Sequence, residues 1–298
     1  MRKFRGTGVA IVTPFKNDCS IDFKSLGKLV EHVITNNITY LVVLGTTGEA
    51  VTQTKDEKRA VIDCVIEINN SRIPVVVGLG GYNTREIVNN FRENSFEGID
   101  AILSVAPYYN KPNQNGLYQH YKTIATASPV PVIMYNVPGR TSVNIDAETT
   151  LKLAHEVKNI IAIKEASGNM GQITKIVKDK PKDFLVISGD DALTLPIIAI
   201  GGKGVISVLA NAFPKEWSEM VALALGSNYK AARKIHLRFA EMIDELFIEG
   251  NPAGIKATLS ILNIIQNTFR LPLSPVSRST YTRISKLVNE LINVPQEQ

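Results

Sequence analysis

The chain has 298 residues, 44% of them hydrophobic and 20% charged, with a formal net charge of +5. That length buries a large core as one big domain or two small ones. Lysines and arginines are scattered singly rather than clustered on one element, which argues against a nucleic-acid footprint and leaves a mild positive field suited to small anions.

In chain order, the N-terminus is basic at Arg2, Lys3 and Arg5, but the apolar run Val9 to Val12 stops at Thr13-Pro14. It is too short for a signal-peptide core. Cys19 and Cys64 stand far apart in no metal or redox spacing, which reads as two free thiols in a reducing cytosol. Short β-rich apolar runs recur at nearly even spacing: Val9–Val12, Tyr40–Leu44, Pro74–Val77, Ala101–Ser104, Pro131–Tyr135, Ile160–Lys164, Phe184–Ser188 and Gly204–Val208.

Helical patterns separate these runs. Leu26, Leu29, Val30, Val33 and Ile34 follow Asp22 with a three-four period, Thr54-x-x-Glu57 is a capping box, and Asn83-x-x-Glu86 resembles one. After Ala212 only helical patterns remain, at Glu216–Leu225, Tyr229–Phe247, Gly254–Ile265 and Thr282–Ile292. Eight strands alternating with helices predict a (β/α)8 TIM barrel over residues 1–226, with a small C-terminal helical appendix over 227–298. A doubly wound sheet is the alternative, but Gly78-Leu79-Gly80 lacks the third glycine of a dinucleotide fingerprint. The longest apolar stretch, Leu193 to Ala212, is interrupted by Pro196 and Gly201-Gly202-Lys203-Gly204, so no membrane span is expected and the location is read as cytoplasmic.

Barrel chemistry belongs to the C-terminal ends of the strands. Those ends carry Gly45-Thr46-Thr47-Gly48-Glu49, Pro107-Tyr108-Tyr109-Asn110, Tyr135-Asn136-Val137-Pro138-Gly139-Arg140-Thr141, Lys164, and Gly189-Asp190-Asp191, with Ile206 on the last strand. Singly, each has a plain structural explanation: a tight turn, packed tyrosines, a helix cap. Six on one rim point to an active site. The sharpest is Lys164, read as the last residue of its strand. Alternation puts Ala162 and Lys164 on one face, with Ile161 and Ile163 on the other. A barrel interior disfavours an ammonium, and the neutral amine is the nucleophile.

Asp190-Asp191 is read as a cap for the next helix, since no histidine or further carboxylate joins it to hold a metal. His32, His120, His155 and His236 fall on helical stretches without ligand spacing. Gly202-Lys203 is followed by Gly204 where a phosphate loop needs Ser or Thr. Neither metal nor cofactor is expected.

Taken together, these motifs, with Ile163-Lys164-Glu165-Ala166-Ser167-Gly168 and Ser188-Gly189-Asp190-Asp191, resemble the dihydrodipicolinate synthase family of pyruvate-dependent class I aldolases from Gly6 to about Pro275. The resemblance implies condensation of pyruvate with L-aspartate 4-semialdehyde, the first committed step of diaminopimelate and lysine synthesis. It implies that Lys164 forms a Schiff base with pyruvate, and that Tyr135 moves protons through Thr47 and a neighbouring subunit's Tyr109. Thr46 and Thr47 would hold the pyruvate carboxylate and Arg140 that of the semialdehyde, while Gly189 and Ile206 surround the lysine. The assembly it implies is a homotetramer built as a dimer of dimers.

The alternatives are a sister lyase, such as N-acetylneuraminate lyase or a keto-deoxy sugar acid aldolase, and a non-catalytic ligand-sensing barrel. The arginine after the Tyr-Asn-x-Pro turn marks the synthase, and a sensor need not keep Lys164, Tyr135, Thr47 and Tyr109 together. The chain departs from the pattern of lysine-inhibited members. Ala50, Lys55, Lys58 and Tyr82 stand where a serine, two histidines and an asparagine make their effector site, and only Glu86 and Tyr108 are kept. Weak or absent inhibition by L-lysine is the expectation.

Overall fold

The computed structural model of the chain describes residues 2–293; Met1 and 294–298, the end of the expected C-terminal region, lie outside the described residues. Eight parallel strands close into a barrel in sequence order: β1 (Gly6–Ala10), β2 (Tyr40–Val43), β3 (Val75–Gly78), β4 (Ala101–Val105), β5 (Val132–Asn136), β6 (Ile160–Glu165), β7 (Leu185–Ser188) and β8 (Gly204–Ser207). Strand β8 returns to pair with β1, Ile206 opposite Gly8. The alternation of each strand sorts its side chains. Val42, Val76, Leu103, Ile133, Ile187 and Ile206 fill the interior, while Leu41, Val75, Ile102, Met134, Ile163 and Val205 pack outward on helices.

The helices are α1 (Phe23–Thr35), α2 (Lys55–Asn69), α3 (Thr84–Glu93), α4 (Gln114–Ala127), a short α5 (Pro138–Thr141), α6 (Ala147–Glu156), α7 (Met170–Asp179), α8 (Thr194–Ala199), α9 (Pro214–Leu225), α10 (Tyr229–Arg238), α11 (Ala240–Phe247), α12 (Ala253–Ile261) and α13 (Arg278–Asn293). Asp22 caps α1 by accepting from Ser25 N, and Thr54 with Glu57 forms the complete capping box of α2. At Asn83 the side chain caps α3 through Arg85 N and Glu86 N. Among the described residues, no helix is long and apolar enough to cross a membrane.

Element ends shift by a few residues from the sequence reading, and three differences have a clear packing or pairing basis. Strand β1 begins at Gly6, three residues earlier than the apolar run, because glycine is what its interior face requires. A Cβ on Gly8 would lie 2.2 Å from the Tyr40 ring, which with Phe4 plugs the bottom of the barrel. The expected helix Tyr229–Phe247 is two helices meeting at Phe239. That break turns the Phe239 ring inward against Phe213, with ring centroids 5.1 Å apart. The third change is in β6. Val132 pairs with Ile160 but Ile133 with Ala162, so Ile161 is a bulge residue. Two neighbours on a bulge share a face. Ile161 therefore joins Ala162 in the interior cluster, while Ile160 and Ile163 pack outward.

The C-terminal helices do not pack by themselves. Phe239, Met242, Leu246, Ile255, Leu259, Ile284 and Val288 share one apolar cluster with β1, β2 and α1 of the barrel. The α11–α12 connection is thereby carried to the C-terminal end of the barrel.

Candidate active site

Lys164 is 5% exposed and is the penultimate residue of β6, not the last. It pairs in register with Tyr135 on β5, and its Nζ lies 4.3 Å from the centroid of the Tyr135 ring. Gly189, at the end of β7, makes room for it: a Cβ there would sit 3.0 Å from Lys164 Cε and 2.8 Å from Ala166 Cβ. Ile206 belongs to the interior cluster with Tyr135 and Ala162. Among the described residues, no carboxylate pairs with Lys164. Lys164 is therefore not half of an ion pair, which is what an amine nucleophile requires.

The next side chain, Glu165, points the other way and fixes the strand. Its buried carboxylate accepts from Asn136 Nδ2 at 2.8 Å, Gln172 Nε2 at 2.7 Å and Ser167 N at 3.2 Å. Burial pushes this carboxyl above the ordinary range, while those donors oppose the rise. Asn136 also accepts from Ile145 N at 2.9 Å. This clamp ties β5 to β6 directly behind Tyr135 and Lys164. Glu165 and Asn136 lie inside the motifs, yet their holding role is set by contacts with Gln172 and Ile145 that residue spacing does not show.

Across the mouth, β2 runs into a 3-10 turn at Thr46–Gly48. Gly48 N and Glu49 N close the turn on Gly45 O and Thr46 O, which leaves the amides of Thr46 and Thr47 without a partner inside it. Thr46 is exposed and Thr47 buried. The Thr47 hydroxyl does not bond Tyr135 in this state; it accepts from Asn251 Nδ2 at 2.9 Å. Asn251 lies on the α11–α12 connection, and its carbonyl accepts from Arg140 Nη2 at 3.3 Å. Arg140 itself is exposed on α5. Sequence reasoning missed Asn251, because nothing in Gly250-Asn251-Pro252 distinguishes it from a turn.

The remaining expected residues divide. Tyr109 is 89% exposed, with φ of 69°. Tyr82 and Tyr108 meet edge to face with centroids 5.2 Å apart, and Glu86 lies close enough to help burial raise the Tyr108 hydroxyl above its ordinary range. Lys55 does not join them; it faces Glu93, 3.7 Å away. Lys58 is half-buried and Ala50 packs on the main core. Asp191 is not the cap of α8. Its Oδ2 accepts from Val208 N and Leu209 N, both at 2.9 Å, and so anchors the end of β8 instead.

A parallel eightfold barrel with a buried lysine over a tyrosine, at the end where such barrels do chemistry, is a setting suited to a lyase that uses an amine nucleophile. The chain belongs to the Dihydrodipicolinate synthetase family, whose profile matches residues 3–291. It is 53% identical over 287 residues to the 4-hydroxy-tetrahydrodipicolinate synthase of Parabacteroides distasonis, covering 96% of this chain and 97% of that protein. It is 49% identical to that of Flavobacterium psychrophilum, covering 98% and 99%. Its fold matches the crystal structure of dihydrodipicolinate synthase from Aquifex aeolicus with a TM-score of 0.94 at 41% identity, covering 99% of this chain and all of that one. A monomeric dihydrodipicolinate synthase variant is also similar, with a TM-score of 0.95 at 39% identity and 98% of each chain covered.

Proposed function

We propose that this enzyme condenses pyruvate with L-aspartate 4-semialdehyde to 4-hydroxy-tetrahydrodipicolinate and water, in lysine and diaminopimelate biosynthesis. The observation that carries the mechanism is the unpaired Lys164 Nζ, 4.3 Å from the Tyr135 ring centroid in a nearly closed barrel interior. The amine attacks the pyruvate ketone, forming a C–N bond as the carbonyl π pair moves to oxygen. That oxygen takes one proton from the attacking nitrogen and a second from an acid and leaves as water, giving the iminium. Tyr135 is assigned to give the acid's proton and to retake it. The iminium acidifies the methyl, and loss of a methyl proton gives an enamine whose carbon bonds to the aldehyde carbon as the aldehyde π pair moves to its oxygen, which takes up a proton to become the 4-hydroxyl while the iminium re-forms. The product ring contains the semialdehyde nitrogen, so that amine must finally displace Lys164.

Thr46 and Thr47 present amides at the open start of their turn, which suits the pyruvate carboxylate. Arg140, anchored from behind by the Asn251 carbonyl, offers a planar charged fork to the carboxylate of the semialdehyde. Tyr109 serves the site of a second subunit in a homotetramer; its 89% exposure in a single chain supports that reading. No resident metal or cofactor enters any step.

The test is turnover of both substrates coupled to a downstream reductase. Condensation should proceed, and Arg140→Ala should raise KM for the semialdehyde at least tenfold. Cleavage of N-acetylneuraminate without any condensation would contradict the proposal.

A further inference from the structure

One step along β5 and β6 from the register pair Tyr135 and Lys164 stands a second pair, Asn136 opposite Glu165, both fully buried. Backbone groups fix the direction of their contact. Ile145 N can only donate, and it donates to Asn136 Oδ1 at 2.9 Å, so Asn136 must turn its Nδ2 to Glu165, at 2.8 Å. The Ile145 carbonyl can only accept, and it takes Gln172 Nε2 at 3.2 Å. Gln172 therefore also meets Glu165 with a donor, at 2.7 Å. Ser167 N is the third, at 3.2 Å. Three donors held by backbone geometry thus converge on one buried carboxylate.

We propose that Glu165 is a positioning residue for the condensation: by accepting from Asn136, Gln172 and Ser167 it sets the spacing of β5 and β6 at their ends, and with it the placement of Lys164 against Tyr135. This rests on the reading that Lys164 and Tyr135 act together on pyruvate. Glu165 works through its chain neighbour Lys164 on one strand and through Asn136, the chain neighbour of Tyr135, on the other. Asn136 and Glu165 are the last register pair of the two strands, so their bond governs the end that carries the chemistry. Misplacing reacting groups by about 1 Å costs on the order of a hundredfold in rate.

The discriminating variant is Glu165→Gln, nearly the same in shape but bringing a donor among donors. Neither Asn136 nor Gln172 turns its amide over without giving up its bond to Ile145. In the folded variant kcat should fall about tenfold or more. Borohydride trapping of pyruvate, quenched at successive times, should slow by a similar factor yet still reach one unit on Lys164. KM for the semialdehyde should not move, since Arg140 is held by the Asn251 carbonyl and not by Glu165. Asn136→Asp in the same chain gives the new amide an acceptor, and part of the lost kcat should return as the bond re-forms with its direction reversed. Wild-type kcat and trapping rate in Glu165→Gln would overturn the proposal, and so would a double variant with no recovery. Absence of trapping and condensation in the wild-type enzyme would instead overturn the functional reading beneath it. Should Glu165→Gln not fold, Gln172→Met at a half-buried position of α7 removes one donor and should lower kcat about threefold or more. An unchanged kcat there would sink the proposal.

Discussion

Lys256 of α12 and Glu49, two residues past Thr47, form an ion pair with both side chains fully buried. The ammonium also donates to Thr268 O at 3.0 Å and lies over the rings of Phe15 and Phe269, 4.3 and 4.8 Å from their centroids. Glu49 has φ of 54°, an uncommon conformation for a residue with a side chain, and the pair helps hold it there. The C-terminal region therefore holds the segment around this turn at two points, Glu49 through Lys256 and Thr47 through Asn251. Burial alone pushes the Lys256 ammonium down and the Glu49 carboxyl up, and each charge opposes the other's neutralisation.

Removing one member of that pair is predicted to cost more than removing both. Lys256→Met should destabilise the fold by about 3–5 kcal/mol by stranding Glu49, and Glu49→Gln in the same chain should recover a large part of it. Urea unfolding of the two single variants and the double variant measures this. Additive losses would show that the pair is not coupled.

Much of this was legible in the chain. Each strand has its apolar run, and Lys164 and Tyr135 fall one residue from the strand ends where the sequence reading puts them. What was not legible depends on contacts between distant segments. The bulge at Ile161 breaks the simple alternation of β6, and no residue type announces it. Phe239 splits a continuous helical pattern because Phe213 and Trp217 receive its ring. Asn251 and Lys256 look like a turn residue and a helix-surface lysine until the fold carries them to Thr47 and Glu49.

The exposure of Tyr109 predicts complementation between subunits. Tyr109→Phe and Lys164→Ala should each be strongly impaired alone. When the two are mixed with subunit exchange confirmed, about a quarter of wild-type activity should return. Half the dimers are then hybrids, and each hybrid holds one complete site of two. No recovery would place Tyr109 outside the neighbouring site.

Feedback inhibition by L-lysine should be weak or absent. Ala50 offers no hydroxyl, Tyr82 no amide, and Lys55 is directed to Glu93, which leaves Glu86 as the lone acidic counter-charge for an ammonium. Two missing neutral hydrogen bonds cost about 1–3 kcal/mol, roughly ten- to hundredfold in affinity. A steady-state titration decides it, and half-inhibition at submillimolar lysine would contradict the prediction.

The covalent role of Lys164 is tested most directly by reduction with borohydride in the presence of pyruvate, followed by intact mass and peptide mapping. One reduced pyruvyl unit should appear per chain, on the peptide carrying Lys164, and Lys164→Ala should show none while remaining folded. An adduct on another lysine, or condensation activity that survives Lys164→Ala, would contradict it.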